Sequence, residues 1–522
     1  MRIKIFKRSL FIYLLSLLAV IIPSQITDAN SLAYRYVDHV KDNNIADAIG
    51  RKQHVISVYN QLARGLKANP AVDTGLAKDT GLKLMGNRFI TLITLVRVNQ
   101  IEISRYKAVG EDESGIHSPE AASAFREAVE KALPGARITW AFSWLALKDN
   151  RPNYLGIKKL AVYYHEKFGD EITFAPGGYF SNMYNTREQV NQDLQEGLQM
   201  VSQMVGAGYR PSSVIAGFLA AENLRFLAEK EGIHVCQGNI WSQYAIDNGD
   251  GDGSISYPYY PSRQHFLKAA QNSTDQIDCV NMDGWTCDFL TARRAGFENG
   301  FNSRLGVGPI ETVIRYGAEK GLKEMIATTS AHFDEGFNLN GFGWVTNICE
   351  LGLVEAHKIY HYPYPGVVIP GIAGWLEEIK SRWPNARAVT VGEFGLAWRK
   401  QFRNNDSINY RFVQRGSGFP GSEPELEIRW YMNKNFRLAL LRDWKTGTSE
   451  KIIDFTRYDL KAKEPDDPKP DQNSRNWSLL NRLNQKGTRQ QDKPIEIGQL
   501  NASEQELIKR RYPALFPVDA KK

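Results

Sequence analysis

Acidic, amide and indole residues recur just past the ends of the apolar runs in this chain. Glu393, Asp283 and Glu335 are the carboxylates, and Trp144, Tyr179, Gln237, Asn239, Trp241, Trp285 and Trp398 accompany them. Two carboxyl groups can cleave a glycosidic bond, one protonating the leaving oxygen and the other acting as nucleophile or base. Indole and phenol faces cover the apolar C–H side of a pyranose, while amides satisfy its hydroxyls. Glu393 is therefore expected as nucleophile or base, and Asp283 or Glu335 as general acid. Neighbouring carboxylates and indole burial would raise the pKa of that acid. The seven accompanying residues are the expected substrate contacts. No Ser stands in a G-x-S-x-G elbow and no Cys has an evident His partner, so acyl-enzyme hydrolysis has little support.

These side chains converge only if the elements between them do. Strand-like runs at 88–98, 136–146, 171–175, 213–218, 234–241, 277–282, 324–328 and 387–391 alternate with amphipathic stretches at 119–132, 154–168, 186–205, 220–231, 309–320 and 375–382. Helices start behind Ser118-Pro119 and Asn185-Thr186 and stop at Gly169, Gly206, Gly232 and Gly321, as capping physics requires. Strand, helix, strand at intervals of roughly 35 residues implies βαβ units and a parallel sheet. About eight such strands fit an α/β fold of the (β/α) TIM-like barrel type, whose loops after the C-terminal strand ends build the active site. The G-x-G-x-x-G at Gly416, Gly418 and Gly421 opens no clear helix, and no G-x-x-x-x-G-K-[ST] occurs. Nucleotide-binding folds lose support accordingly. After Trp398 the pattern changes to short strands and Pro/Gly clusters, which predicts a small C-terminal β-rich domain. The expected divisions are 1–29 as a signal peptide, 30–80 as a helical lead-in, 81–400 as the barrel and 401–522 as the appended domain.

The 522 residues carry a net charge of +7, with 42% hydrophobic and 24% charged residues. That composition excludes a disordered or collagenous chain and a polytopic membrane protein. No stretch reads as a nucleic-acid-binding surface. Arg2 to Arg8 followed by the apolar run 10–22 and a polar segment ending at Ala29 matches a secretory signal. A periplasmic or secreted location follows, with no stable membrane insertion after cleavage. In that oxidising setting Cys236, Cys279, Cys287 and Cys349 could pair in three ways, or serve as small buried residues.

Two segments carry a family resemblance. Val391-Gly392-Glu393-Phe394-Gly395-Leu396-Ala397-Trp398 resembles the late strand of many retaining glycosidases, in which a Glu between such glycines is the nucleophile. The usual Asn-Glu pair after the fourth strand is reversed here, as Ala221-Glu222-Asn223. The segment from Gly217 to Phe266, with its Leu-Ala-Glu-Lys-Glu-Gly-Ile helix end and Tyr/Pro-rich loop, resembles the later half of polysaccharide-deacetylase-like barrels. From about Arg88 to Trp398 the chain is similar to an uncharacterised family of secreted bacterial proteins near the glycoside hydrolase/deacetylase superfamily. The resemblance implies a barrel and a glycan substrate. It does not carry over the deacetylase metal set, because the Thr-Phe-Asp-Asp motif is missing and His117-Ser118-Pro119 has no second His four residues on. Three functions follow: a glycosidase using a carboxylate pair, a carbohydrate-binding barrel without catalysis, and a metal-dependent deacetylase. No cofactor and no metal ligand is assigned. The segment from Asp247 to Ser254 could cradle calcium or be a plain turn, and His332, Asp334 and Glu335 with Asp283 could hold a divalent ion or sugar hydroxyls.

Overall fold

A continuous apolar run, Phe89 to Val96, forms the central strand, and burial on both faces is what a parallel strand covered by helices demands. The computed structural model describes residues 81–516, apart from 104, 106, 207, 218, 240–252, 299–308, 448, 471–476 and 480–493. The signal-type segment, the helical lead-in, Trp241 and most of the Asp247–Ser254 segment lie outside the described residues. Eight parallel strands are β1 (Arg88–Val96), β2 (Thr139–Ser143), β3 (Glu171–Ala175), β4 (Val214–Ile215), β5 (Val235–Asn239), β6 (Val280–Asp283), β7 (Gly343–Glu350) and β8 (Ala386–Ala388). One sheet runs β7–β1–β2–β3, with β8 paired to the first three residues of β1, and a second runs β6–β5–β4. Thr173 Oγ1 donates to Ser213 O between β3 and β4. Between β6 and β7, Thr286 N–H donates to Thr346 O at 2.9 Å and Thr346 N–H to Thr286 Oγ1 at 2.9 Å.

Helices fill the intervals, and their ends follow local chemistry. Ser118 caps Pro119–Ala132 by accepting from Ala121 N–H at 3.0 Å, while Thr186 and Gln189 form a capping box for Arg187–Val205. The expected strand at 324–328 is instead the middle of helix Ala318–Phe333. Its apolar residues Leu322, Met325, Ile326 and Phe333 recur at helical spacing, and Ala, Lys and Glu around them favour the helix. The seventh strand is β7, whose Thr346, Asn347 and Glu350 interrupt the apolar pattern that marks the others.

Four antiparallel strands follow in meander order: β9 (Asn409–Arg415), β10 (Leu426–Asn433), β11 (Phe436–Asp443) and β12 (Lys451–Arg457). Alternation on β11 sends Phe436, Leu438 and Leu440 to a cluster with Ile508 and Tyr512 of the C-terminal segment. On the other face Arg437, fully buried, pairs with Asp454 and donates to Ser254 O at 2.8 Å. All four cysteines are buried and none is disulfide-bonded, which is the small-buried-residue alternative.

The helix Val391–Gln401 decides where Glu393 lies. Val391 N–H donates to Thr139 Oγ1 at 3.0 Å and Gly392 N–H to Glu171 Oε2 at 3.0 Å, the first residues of β2 and β3. A Cβ on Gly395 would stand 2.3 Å from Cγ1 of Val235, the first residue of β5. Phe394 stacks on Trp344 with centroids 4.9 Å apart, near the start of β7. The helix therefore packs across the N-terminal ends of the strands. Its two glycines permit that close approach, which is a packing role and not room for a sugar.

Candidate functional site

At the C-terminal ends the apolar run of β1 stops at Arg97, which is buried. Its Nε and Nη2 donate to Glu113 at 2.7 and 2.9 Å, and its Nη1 and Nη2 donate to Glu350 at 3.3 and 2.5 Å. Glu350 is the last residue of β7, held level with Leu95 by the β1–β7 register. One guanidinium fork thus grips two buried carboxylates. Burial pushes the Glu113 carboxyl up, but the Arg97 charge and its hydrogen bonds prevail and hold it below the usual range. Tyr360 Oη adds a bond to Glu113 at 2.9 Å. Burial lowers His117, whose Nε2 accepts from Arg97 N–H at 3.4 Å and whose Nδ1 faces Glu113 O at 2.9 Å. Those partners assign a neutral ring with its proton on Nδ1.

The ends of β5 and β6 carry a second group of polar residues. A register shift pairs Asp283 with Asn239 and Met282 with Gln237, skipping Gly238. Asp283 Oδ1 accepts from Gly284 N–H at 2.9 Å, and Asn239 Nδ2 donates to Ser254 Oγ at 2.6 Å. Gln237 Oε1 is buried with no hydrogen-bond partner among the described residues. Trp285 reaches across to β7, its Nε1 donating to Ile348 O at 3.3 Å, two residues before Glu350. Asp283, Gln237, Asn239 and Trp285 are therefore brought together at the ends of β5 and β6, with Trp285 reaching Ile348 of β7. Trp144 follows β2 at the same end, with the Arg105 guanidinium 4.2 Å above its ring. Tyr179 sits on the turn Pro176–Tyr179 after β3. Glu102, also at this end, accepts from Val98 N–H, Leu145 N–H and Ser143 Oγ; burial pushes it up against those bonds.

Glu393, Glu335 and Trp398 do not join this group. Glu393 closes a capping box with Thr390, accepting from Thr390 N–H at 3.1 Å, and meets Arg137 at 3.1 Å just before β2. Glu335 is half-exposed on the helix Glu335–Asn340, ahead of the start of β7, with Arg415 3.7 Å away. Trp398 is sealed in the core, donating to Tyr410 Oη at 2.8 Å. Asp283 stands at the opposite strand ends, so the three expected catalytic carboxylates do not converge. His332 likewise faces Tyr257 Oη at 2.6 Å in an aromatic cage, where burial lowers its pKa to about 3, and Asp334 accepts from Trp383 Nε1 at 2.7 Å. They share no site with Asp283. Among the described residues no group of three or more His, Cys, Asp or Glu is placed to hold a metal ion.

Because Glu393 caps a helix, Glu393→Ala is expected to destabilise the protein by about 1 kcal/mol, the usual cost of a lost N-terminal cap. Urea unfolding at pH 7 measures it; a loss several times larger would point to a role beyond capping.

Comparison with known proteins gives three findings. The DUF3863 family, a domain of unknown function with a solved structure, matches residues 82–432, and DUF3864, described the same way, matches residues 437–515. No curated protein matches the chain. A crystal structure from Parabacteroides distasonis, of a proposed glycoside hydrolase/deacetylase, is 49% identical with a TM-score of 0.78, covering 83% of this chain and 100% of that one. A proposed polysaccharide deacetylase from Mycobacterium smegmatis is far fainter: 12% identity, TM-score 0.38, and 64% and 96% of the two chains. A GH57 branching enzyme from Thermococcus kodakaraensis gives 10%, 0.37, 59% and 71%. Neither of these last two carries any argument here.

Proposed function

The chain belongs to the DUF3863 family, and on that premise we propose that it is an exported, carbohydrate-active hydrolase with a TIM-like barrel as its working body. The observation that carries this reading is the 49% identity to a proposed glycoside hydrolase/deacetylase across that protein's whole length. The geometry supports a site at the C-terminal strand ends, with Asp283 closing β6 and Glu350 closing β7. Glu350, gripped by Arg97, is proposed as the nucleophile or base. Asp283 is then the proton donor to the leaving oxygen. Gln237, Asn239, Trp285, Trp144, Tyr179 and Trp241 remain the proposed sugar contacts; Glu393, Glu335 and Trp398 leave the list. The signal-type segment 1–29 supports export to the periplasm or beyond, and among the described residues no helix is long and apolar enough to cross a membrane.

One observation favours a second reading, a barrel that binds glycans without cleaving them. The strand-end carboxylates are nearly buried and already spend their lone pairs on protein donors, Glu350 on Arg97 and Glu102 on two backbone N–H groups and a hydroxyl. A glycan panel assayed for reducing ends and for free acetate separates the possibilities. New reducing ends unaffected by chelator are the expected result. Acetate release abolished by chelator would instead establish a metal-dependent deacetylase. Glycan affinity without either product would establish the binding protein.

A further inference from the structure

A small cavity lies where β7 and the residues just after β6, Thr286 to Asp288, face the helices Ala318–Phe333 and Val368–Arg382. Its volume is about 20 Å³, room for one water-sized body and far too little for a sugar. Asp288, Thr312, Glu324, Thr328, Asn347 and Trp375 are among its lining residues, and none of the described lining residues is basic. Glu324 is 5% exposed and its Oε1 has no hydrogen-bond partner among the described residues. Asn347 is 1% exposed, and both its amide oxygen and its amide nitrogen are likewise without partner there. Asp288 differs: its Oδ1 accepts from Leu290 N–H at 3.0 Å and Thr291 N–H at 3.1 Å, and its Oδ2 from Ser417 Oγ at 3.1 Å.

Burial pushes the Asp288 carboxyl up against those bonds, and Glu324 is buried near it with no basic residue among the described lining. Burial pushes the Glu324 carboxyl well up, and the Asp288 charge pushes the same way. An apolar residue would fill this position between helix and strand at no electrostatic cost, whereas an uncompensated buried carboxylate is expensive. Carboxylate, amide and hydroxyl oxygens around a one-atom space are the donor set of a hard cation. We propose that this cavity binds a single hard cation of the calcium class, with Glu324 Oε1 and Asn347 Oδ1 among its ligands. The ion cross-links helix Ala318–Phe333 to β7. This site is independent of the proposed reaction at the strand ends.

The test uses the purified full chain stripped with EDTA and titrated with Ca²⁺ and, separately, Tb³⁺. About one equivalent of Ca²⁺ should bind and raise Tm by a few degrees, because only the folded chain offers the site. Tb³⁺ should emit on excitation of tryptophan, since Trp375 lines the cavity. Glu324→Gln should lose both responses while keeping the Tm of the EDTA-stripped wild type. Asn347→Asp, which adds a charged ligand, should bind Ca²⁺ more tightly and melt lower than wild type in EDTA. Responses that survive in Glu324→Gln would place the ion elsewhere and overturn the proposal. So would a wild type indifferent to Ca²⁺, or a Glu324→Gln chain that melts above wild type at saturating Ca²⁺, because then the cavity holds a neutral acid and water.

Discussion

Arg97→Met is expected to lose about 3–5 kcal/mol of stability at pH 7, the cost of leaving buried carboxylates without their counter-charge. Met replaces the aliphatic stem, so packing is largely retained and the loss is electrostatic. The pH dependence follows from the signs. In the wild type the folded Glu113 carboxyl lies below its unfolded value, so its contribution is complete above the unfolded carboxylate range and fades as pH falls through the folded value. In the variant the cation is gone and burial outweighs the remaining Tyr360 bond, which raises Glu113 above the unfolded value. That penalty is fully felt at pH 7 and disappears as pH falls below about 4, where both states are protonated. Urea unfolding at pH 7 and at about pH 4 should therefore show the gap between variant and wild type shrinking with acid. An equal gap at both pH values would assign the loss to packing. Adding Glu113→Gln and Glu350→Gln to Arg97→Met should restore much of the stability, as replacing a whole buried ion group by neutral residues commonly does.

The same group shows what could be read along the chain and what could not. Arg97 fell inside the expected strand 88–98, so it did not read as a strand-end residue in the way that Asn239 and Asp283 did. Its partners were no more legible. Glu350 ends β7, and that strand hides behind Thr346 and Asn347, while the more apolar 324–328 is helix because its spacing is 3.6 and its neighbours are helix formers. Elements with clean signals came out as expected: β3 at Glu171–Ala175 and the Ser118-capped helix Pro119–Ala132. Gly392-Glu393-Phe394-Gly395 misled for a physical reason. A glutamate between glycines suits a nucleophile approached by sugar, but it equally suits a helix start that must lie against strands, with Glu as cap, Phe as core and Gly as contact. Only Thr390, three residues before Glu393, distinguished the two in advance, since Thr-x-x-Glu is a capping box. Strand β8 is three residues long, and after it the chain turns across the N-terminal ends. Which end of the strands a residue occupies depends on such a turn, and no local pattern encodes it.

Asp283→Asn is expected to lower kcat on a natural glycan by roughly 10²–10⁴-fold, the range carried by a positioned general acid. Glu350→Gln should fall at least as far, and Glu393→Gln should stay within about twofold because it caps a helix at the other strand ends. The unfolding midpoint of each variant accompanies the rates, so that lost activity is not lost fold; Glu350→Gln needs this most, since it also leaves Arg97 with one carboxylate. The proton-donor role of Asp283 has its own signature. An aryl glycoside with an acidic phenol leaves without protonation, so Asp283→Asn should recover most of its rate on that substrate while Glu350→Gln should not. If Asp283→Asn were equally slow on both substrates, Asp283 would be a binding or positioning group. If Glu393→Gln were the inactive variant, the site would lie at the N-terminal strand ends and the assignment made here would be reversed.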